Sequence, residues 1–323
     1  MNTQSICGIV IRSIIFFITF RFTEGGKLLV IPQDGSHWLS MRSLVEKLSE
    51  NGHQIVIIVP EVNFYLKNLD HYTVKTFQGP LSKELMESLM KEFTDGAFVQ
   101  RTFLQKMTFV VDKMINGTNL IISACENLLQ NETLIKYLEK SHFDAMLSDP
   151  VFPCGEIIAE HLSIPSVFFM RTALFSTEMK AALSPSPPSY VPRAFTTFTD
   201  HMTFSQRVIN VLWALMESIG YDICYMPFTR IASQFLHRDV TVLDLFSRAS
   251  IMLLRNDFAI EFPRPVMPNM IFIGGINCAN KKLLNQVHVV HDHERGHRFS
   301  PFTQPHNELA VYVGHQIADQ HSA

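Results

Sequence analysis

Cysteine is scarce in this chain, with 5 among 323 residues. None form a CxxC pair, which argues against zinc-finger and thioredoxin-like chemistry. Tryptophan is scarcer, at 2. Charge is thin: Asp, Glu, Lys and Arg make up 18% of the residues and the net charge is −3. Nothing in that balance advertises nucleic acid or an acidic surface as a partner. No GxGxxG follows the first apolar run, no Walker loop occurs, and no GxSxG elbow marks a serine hydrolase. Carboxylate pairs for glycoside hydrolysis need a geometry that sequence alone does not supply. No internal repeat is visible. Beyond the N-terminus no run of about 18 apolar residues exists. The nearest, "VINVLWALM", is short and is followed by Glu217 and Asp222. No C-terminal membrane anchor is therefore expected.

What is present is apolar. The hydrophobic fraction is 47%, with 26 Phe, enough for a sizeable core or an apolar ligand pocket. The stretch "ICGIVIRSIIFFITF" followed by Thr23-Glu24-Gly25-Gly26 reads as a signal peptide over residues 1–25. An uncleaved anchor is the alternative; the interrupting Arg12 and the immediate start of a strand at Lys27 favour cleavage. Two sequons, Asn116-Gly117-Thr118 and Asn131-Glu132-Thr133, fit the same route and make Asn116 and Asn131 candidate glycosylation sites. Together they imply a protein of the endoplasmic reticulum lumen, with the helical zone 203–237 able to lie on a membrane surface. After signal removal Cys125, Cys154, Cys224 and Cys278 remain. In an oxidising lumen they permit up to two disulfides, and buried free thiols fit equally well.

Alternation of strands and helices predicts an α/β fold with a parallel, Rossmann-like sheet. Residues 27–32 form an apolar strand, as expected when both faces are covered. Trp38, Met41, Leu44, Val45 and Leu48 fall at helical spacing, and Asn51-Gly52 stops that helix. "HQIVIIVP", "YTVKTF", "FDAMLSDP", "PSVFFM", "SIMLLRN" and "NMIFIGG" read as further strands. Residues 82–140 read as helices with breaks near Asp95-Gly96, Asn116-Gly117 and Asn131. "SPSPPSYVPR" is a proline-rich loop that cannot be helical.

In open parallel sheets ligands sit beyond the C-terminal strand ends. His37 follows the first strand, and Asp149 ends "FDAMLSD". If both strands are central, the two side chains share one rim. A carboxylate beside an imidazole fixes its tautomer and stabilises the imidazolium, so the pair can serve as a general base. The alternative is structural: Asp34, Ser36 or His37 caps the helix, and Asp149 caps a turn.

The motifs "GKLLVIPQDGSHWLSMRSLVEKL", "GHQIVIIVPEV", "FDAMLSDPVFPCG", "PPSYVPR" and "IFIGGINC" resemble those of UDP-glucuronosyltransferases, family 1 more than family 2, over roughly residues 8 to 280. The resemblance implies the N-terminal, acceptor-binding half of a GT-B glycosyltransferase over residues 26–280. It puts the family's catalytic histidine on His37 as general base and its partner on Asp149, which orients the ring. Asp144 is the runner-up, but it begins its strand. The co-substrate implied is UDP-glucuronic acid, the acceptors are small lipophilic molecules such as phenols, and neither metal nor cofactor is required.

After "GGINCANKK" this resemblance stops, where the family would continue into a donor-binding half and a membrane helix. Residues 281–323 instead form a tail with His288, His291, His293, His297, His306, His315 and His321. A metal site is one reading. The other is a product of splicing, read-through or frameshift, disordered and without an evolved fold, favoured by the abrupt change in composition. Two functions stand against each other: an acceptor half that needs a donor half, or an inactive variant that pairs with full-length relatives and modulates them, as homo- or hetero-oligomer. Simple lipophile binding is a third.

Overall fold

The computed structural model describes residues 25–66, 69–97, 99, 102–171, 176–193, 196–256 and 261–277. The signal expectation over 1–25 (all but its last residue), the tail 281–323 and Cys278 lie outside the described residues.

Strand β1 (Lys27–Ile31), helix α1 (Ser36–Glu50) and strand β2 (Gln54–Pro60) form the opening β-α-β unit, with β1 and β2 parallel. β3 (Thr73–Phe77) pairs with β2 at the sheet's edge. Helices α2 (Lys83–Ala97), α3 (Phe103–Gln130) and α4 (Glu132–Glu139) return the chain to β4 (Ala145–Ser148) on the other side of β1. Then come α5 (Cys154–Leu162), β5 (Ser166–Met170), α6 (Ser176–Ala181), α7 (Phe204–Leu236), α8 (Val242–Ser247), β6 (Ile251–Leu254) and β7 (Met270–Phe272). The result is one seven-stranded sheet in the order β3-β2-β1-β4-β5-β6-β7, with every pair parallel. The α/β class and parallel sheet read from the sequence are those of the structure.

Alternation along the strands divides the core between two faces. Leu29 and Ile31 of β1 join Cys125, Leu128, Ile157, Ile158 and Phe246 on one face. Val30 joins Trp38, Met41 and Val45 of α1 with Ile57 and Leu147 on the other. The apolar residues of α1 thus bury one helix stripe against the sheet.

The expected break at Asn116-Gly117 is absent: α3 runs unbroken for 28 residues. A mid-helix glycine costs about 1 kcal/mol. Against it stand a capping box at Thr102 and Gln105 and the burial of Cys125, Leu128 and Leu129 near the helix's other end. Asp95-Gly96 likewise falls inside α2, in its last turn, while Asn131 does separate α3 from α4. Cys125 is disulfide-bonded to Cys154, with Cα atoms 5.6 Å apart, so α3 is stapled to the start of α5. Cys224 is a half-buried free thiol.

Candidate functional site: a histidine–aspartate pair at the switch point

The chain runs outward from β1 to β3, then re-enters the sheet at β4 on β1's other side. The strand order therefore reverses between β1 and β4, and beyond the C-terminal ends of such a pair is where open α/β sheets bind their ligands. His37 and Asp149 both stand at that switch point.

The turn after β1 is held by Asp34. Its carboxylate accepts the backbone N–H groups of Gly35 (2.7 Å), Phe64 (2.7 Å) and Tyr65 (3.1 Å), tying the turn to the segment after β2. Gly35, at φ +83°, occupies the N-cap, a conformation that excludes most side chains, and no side chain caps the helix. Neither Ser36 nor His37 is thus consumed as a cap. Trp38, fully buried beside it, anchors the first turn of α1. The imidazole turns instead to Asp149, with Nδ1 2.5 Å from Oδ2.

Asp149 follows β4 directly and is 2% exposed. Its other oxygen, Oδ1, accepts the Val151 N–H at 3.0 Å, and its own carbonyl accepts the Phe152 N–H at 2.9 Å. The carboxylate is therefore fixed from two sides, while the His37 side chain keeps 20% of its surface exposed. With Nδ1–H donating to Asp149, the Nε2 lone pair faces no hydrogen-bond partner among the described residues. Such a ring can accept a proton and have the resulting charge balanced by the carboxylate behind it.

Asp144 lies at the other end of β4. Its Oδ2 accepts the Lys27 N–H at 2.6 Å and its N–H donates to the Lys27 carbonyl at 2.9 Å, so it closes the N-terminal edge of the sheet. Asn116 is exposed on α3, inside a helix rather than in a loop. Asn131 is half-buried at the joint of α3 and α4, where its Oδ1 accepts the Leu134 N–H at 3.0 Å. Among the described residues no group of three or more His, Cys, Asp or Glu side chains gathers as metal ligands. No helix among them is long and apolar enough to cross a membrane.

One residue of this region escapes a sequence reading. Glu156, in the first turn of α5, is 2% exposed and accepts a hydrogen bond from Ser148 Oγ. Burial pushes its carboxyl up to about 8. The Ser148 and backbone hydrogen bonds pull it back, and the Asp149 charge adds to the rise. Near neutral pH the protonated form of Glu156 predominates. Acidic residues in a helix's first turn are ordinary and exposed, so Glu156 carries no signal in sequence. The clue is Gly155: a Cβ there would meet Ser148 Cβ at 2.9 Å, so the glycine lets α5 press against the end of β4.

A family model described as UDP-glucoronosyl and UDP-glucosyl transferase matches residues 26–296. The chain belongs to that family. Its match runs past residue 281, where the motif resemblance stops. Human UDP-glucuronosyltransferase 1A6 is 44% identical over 273 residues, covering 84% of this chain and 51% of that protein. Rattus norvegicus UDP-glucuronosyltransferase 1A1 is 43% identical over 264 residues, covering 82% and 49%. The chain thus spans about half the length of the curated relatives it matches. Among solved structures, the glycotransferase of kitacinnamycin gives a TM-score of 0.44 at 13% identity, over 78% of this chain and 51% of that one. Arabidopsis thaliana UGT89C1 complexed with quercetin gives 0.40 at 13%, over 85% and 56%. The family expectation drawn from the motifs is thereby met: this is a glycosyltransferase-family chain whose relatives, by their names, use a UDP-linked glucuronosyl donor.

Proposed function

We propose that this family member supplies the acceptor site and the catalytic base for transfer of glucuronic acid from UDP-glucuronic acid to hydroxyl groups of small lipophilic acceptors such as phenols. The observation that carries the reading is the 2.5 Å contact of His37 Nδ1 with buried Asp149 at the switch point of the sheet. A phenol, with a pKa near that of tyrosine, about 10, is a poor nucleophile at neutral pH. His37 Nε2 takes its proton as the phenolic oxygen bonds to the anomeric carbon. The bond from that carbon to UDP breaks on the opposite side, UDP leaves with the electron pair, and the configuration inverts. Asp149 holds the tautomer and offsets the imidazolium charge. A base of this kind contributes about 10²–10⁴-fold in rate. In the GT-B arrangement a second half holds the diphosphate, and the residues described here supply the acceptor side and the base. Without that half the donor loses a proximity advantage of about 7–11 kcal/mol. The sequons and leader support residence in the endoplasmic reticulum lumen with glycans at Asn116 and Asn131; at Asn131 the cap uses Oδ1 and leaves Nδ2 for the sugar.

The test is a fusion of residues 26–277 to the C-terminal half of human UDP-glucuronosyltransferase 1A6, assayed for phenol glucuronide by mass spectrometry. Asp149→Asn should lower turnover about 10²–10⁴-fold, while Asp144→Asn should stay active. The reverse pattern in folded proteins would make Asp144 the partner.

One observation favours a second reading, an inactive variant that modulates full-length relatives. Leu212, Leu215, Ile219, Ile223 and Met226 form a stripe along α7, each more than half exposed. Such a stripe is suited to a partner surface. Co-purification with a full-length relative, lost on Leu215→Glu, would support it; no retention would leave the acceptor-half reading alone.

A further inference from the structure

β4 ends in two residues that face opposite ways. Ser148, its last residue, faces α5, where a Cβ on Gly155 would meet Ser148 Cβ at 2.9 Å. Asp149, the next residue, reaches His37 on the α1 side. Ser148 Oγ donates to Glu156 Oε1, so the end of one strand separates the buried acid of α5 from the carboxylate that holds the imidazole. A second path runs through the connecting turn. There the Phe152 N–H donates to the Asp149 carbonyl at 2.9 Å, and the Gly155 N–H donates to the Phe152 carbonyl at 3.2 Å. The Cys125–Cys154 bond fixes the start of α5.

Glu156 Oε2 is enclosed and has no hydrogen-bond partner among the described residues. No cation pairs with the carboxyl there, and none is among the charges acting on it. A carboxylate in such a setting is disfavoured, so the group keeps its proton at neutral pH. Burial pushes its ionisation up to about 8. The elements packed around α5 do not supply the missing positive charge. β4 offers Ser148 and Asp149, and the Asp149 charge adds to the rise. α3 meets α5 with the disulfide-bonded Cys125, which does not titrate. α8 turns Val242, Leu245 and Phe246 inward. On α7, the Tyr225 phenol is held well above its ordinary value by burial first, then by Glu178 of α6, Cys224, Asp149 and Glu156. It therefore stays uncharged when Glu156 titrates. Cys224 beside it is a free thiol, and thiols ordinarily titrate in the alkaline range.

We propose that Glu156 is a positioning residue of the His37–Asp149 pair: uncharged, it braces the end of β4 through Ser148, and when it loses its proton it sets a second negative charge behind Asp149 that favours the imidazolium. The proton leaves to solvent, and the charge stays on the carboxylate, where it attracts a proton on His37. Across the end of one strand, on the order of 10 Å, a unit charge in protein changes a proton equilibrium by about tenfold. The catalytic meaning rests on the acceptor-half reading above. Under it, the base holds the acceptor's proton more firmly as pH rises through the range in which Glu156 ionises.

The test is imidazole NMR of the intact 323-residue chain from about pH 5 to 10, with the His37 signals assigned by their loss in His37→Gln. Those signals should show one step of their own and a second, smaller step near pH 8. Glu156→Gln, which matches the protonated group in size and charge, should abolish the second step. Ser148→Ala removes a hydrogen bond that pulls Glu156 down, so it should move that step to higher pH. Cys224→Ser should leave it in place. Circular dichroism confirms that each variant is folded. A single step in the parent chain would overturn the proposal, and that measurement needs no variant. A second step that survives Glu156→Gln, disappears with Cys224→Ser or stays unmoved in Ser148→Ala would overturn it too, by assigning the step to another group. The readout needs no turnover. A fusion indifferent to His37 would refute the base and leave the coupling standing, while a single-step titration would refute the coupling and leave the base.

Discussion

Replacing Glu156 with glutamine should flatten the decline of stability with rising pH. Burial lifts the folded carboxyl from 4.5 to about 8, against opposing hydrogen bonds from Ser148 and its own backbone and with a further push from Asp149. In the unfolded chain the group ionises near its ordinary value. Between the two values the folded protein keeps a proton that the unfolded chain has released. Unfolded molecules then bind fewer protons, so stability falls as pH rises. The group's contribution is most favourable below the unfolded value and is lost once pH passes the folded one. At about 1.4 kcal/mol per unit, the loss between about pH 5 and pH 8 is about 3–4 kcal/mol. Glutamine does not titrate. An imperfect fit of its amide against Ser148 shifts the variant's stability by a constant and leaves the slope untouched. Urea unfolding of both proteins at the two pH values, with the disulfide intact, gives the difference directly. Parallel pH profiles would refute the neutral, buried carboxyl.

Three other outcomes follow from the fold. Asp144→Ala should cost about 0.5–1.5 kcal/mol of stability, because the Lys27 N–H loses its solvent-exposed partner at the edge of the sheet. Cys154→Ala opens a loop of sequence separation 29 and should cost about 3–4 kcal/mol, read by denaturant midpoint against the oxidised parent. Endoglycosidase treatment of protein secreted into the lumen should increase gel mobility, with Asn131→Gln removing one increment; an unchanged band would show that neither Asn116 nor Asn131 carries sugar.

Much of the architecture was legible because the central strands are apolar on both faces. β1, α1 and β2 follow from "KLLVI", the spacing of Trp38, Met41 and Val45, and "QIVIIVP". The meeting of His37 and Asp149 was inferable because each stands just past a strand that belongs at the sheet's centre. Long-range facts were not legible. Which strands flank β1 depends on a return through three helices, and the Cys125–Cys154 bond depends on how α3 crosses α5. Glycine at 117 suggested a break that helix packing overrides. Glu156 looked like any first-turn acid, since only the close approach of α5 to β4 buries it.

The proposed base is His37, oriented by Asp149. It is tested most directly by His37→Ala in the fusion with the donor half, followed by added imidazole. A loss of about 10²–10⁴-fold in phenol glucuronide formation with unchanged folding is expected, with partial recovery as imidazole fills the vacated position. A folded His37→Ala fusion that turns over at the parent rate would contradict it.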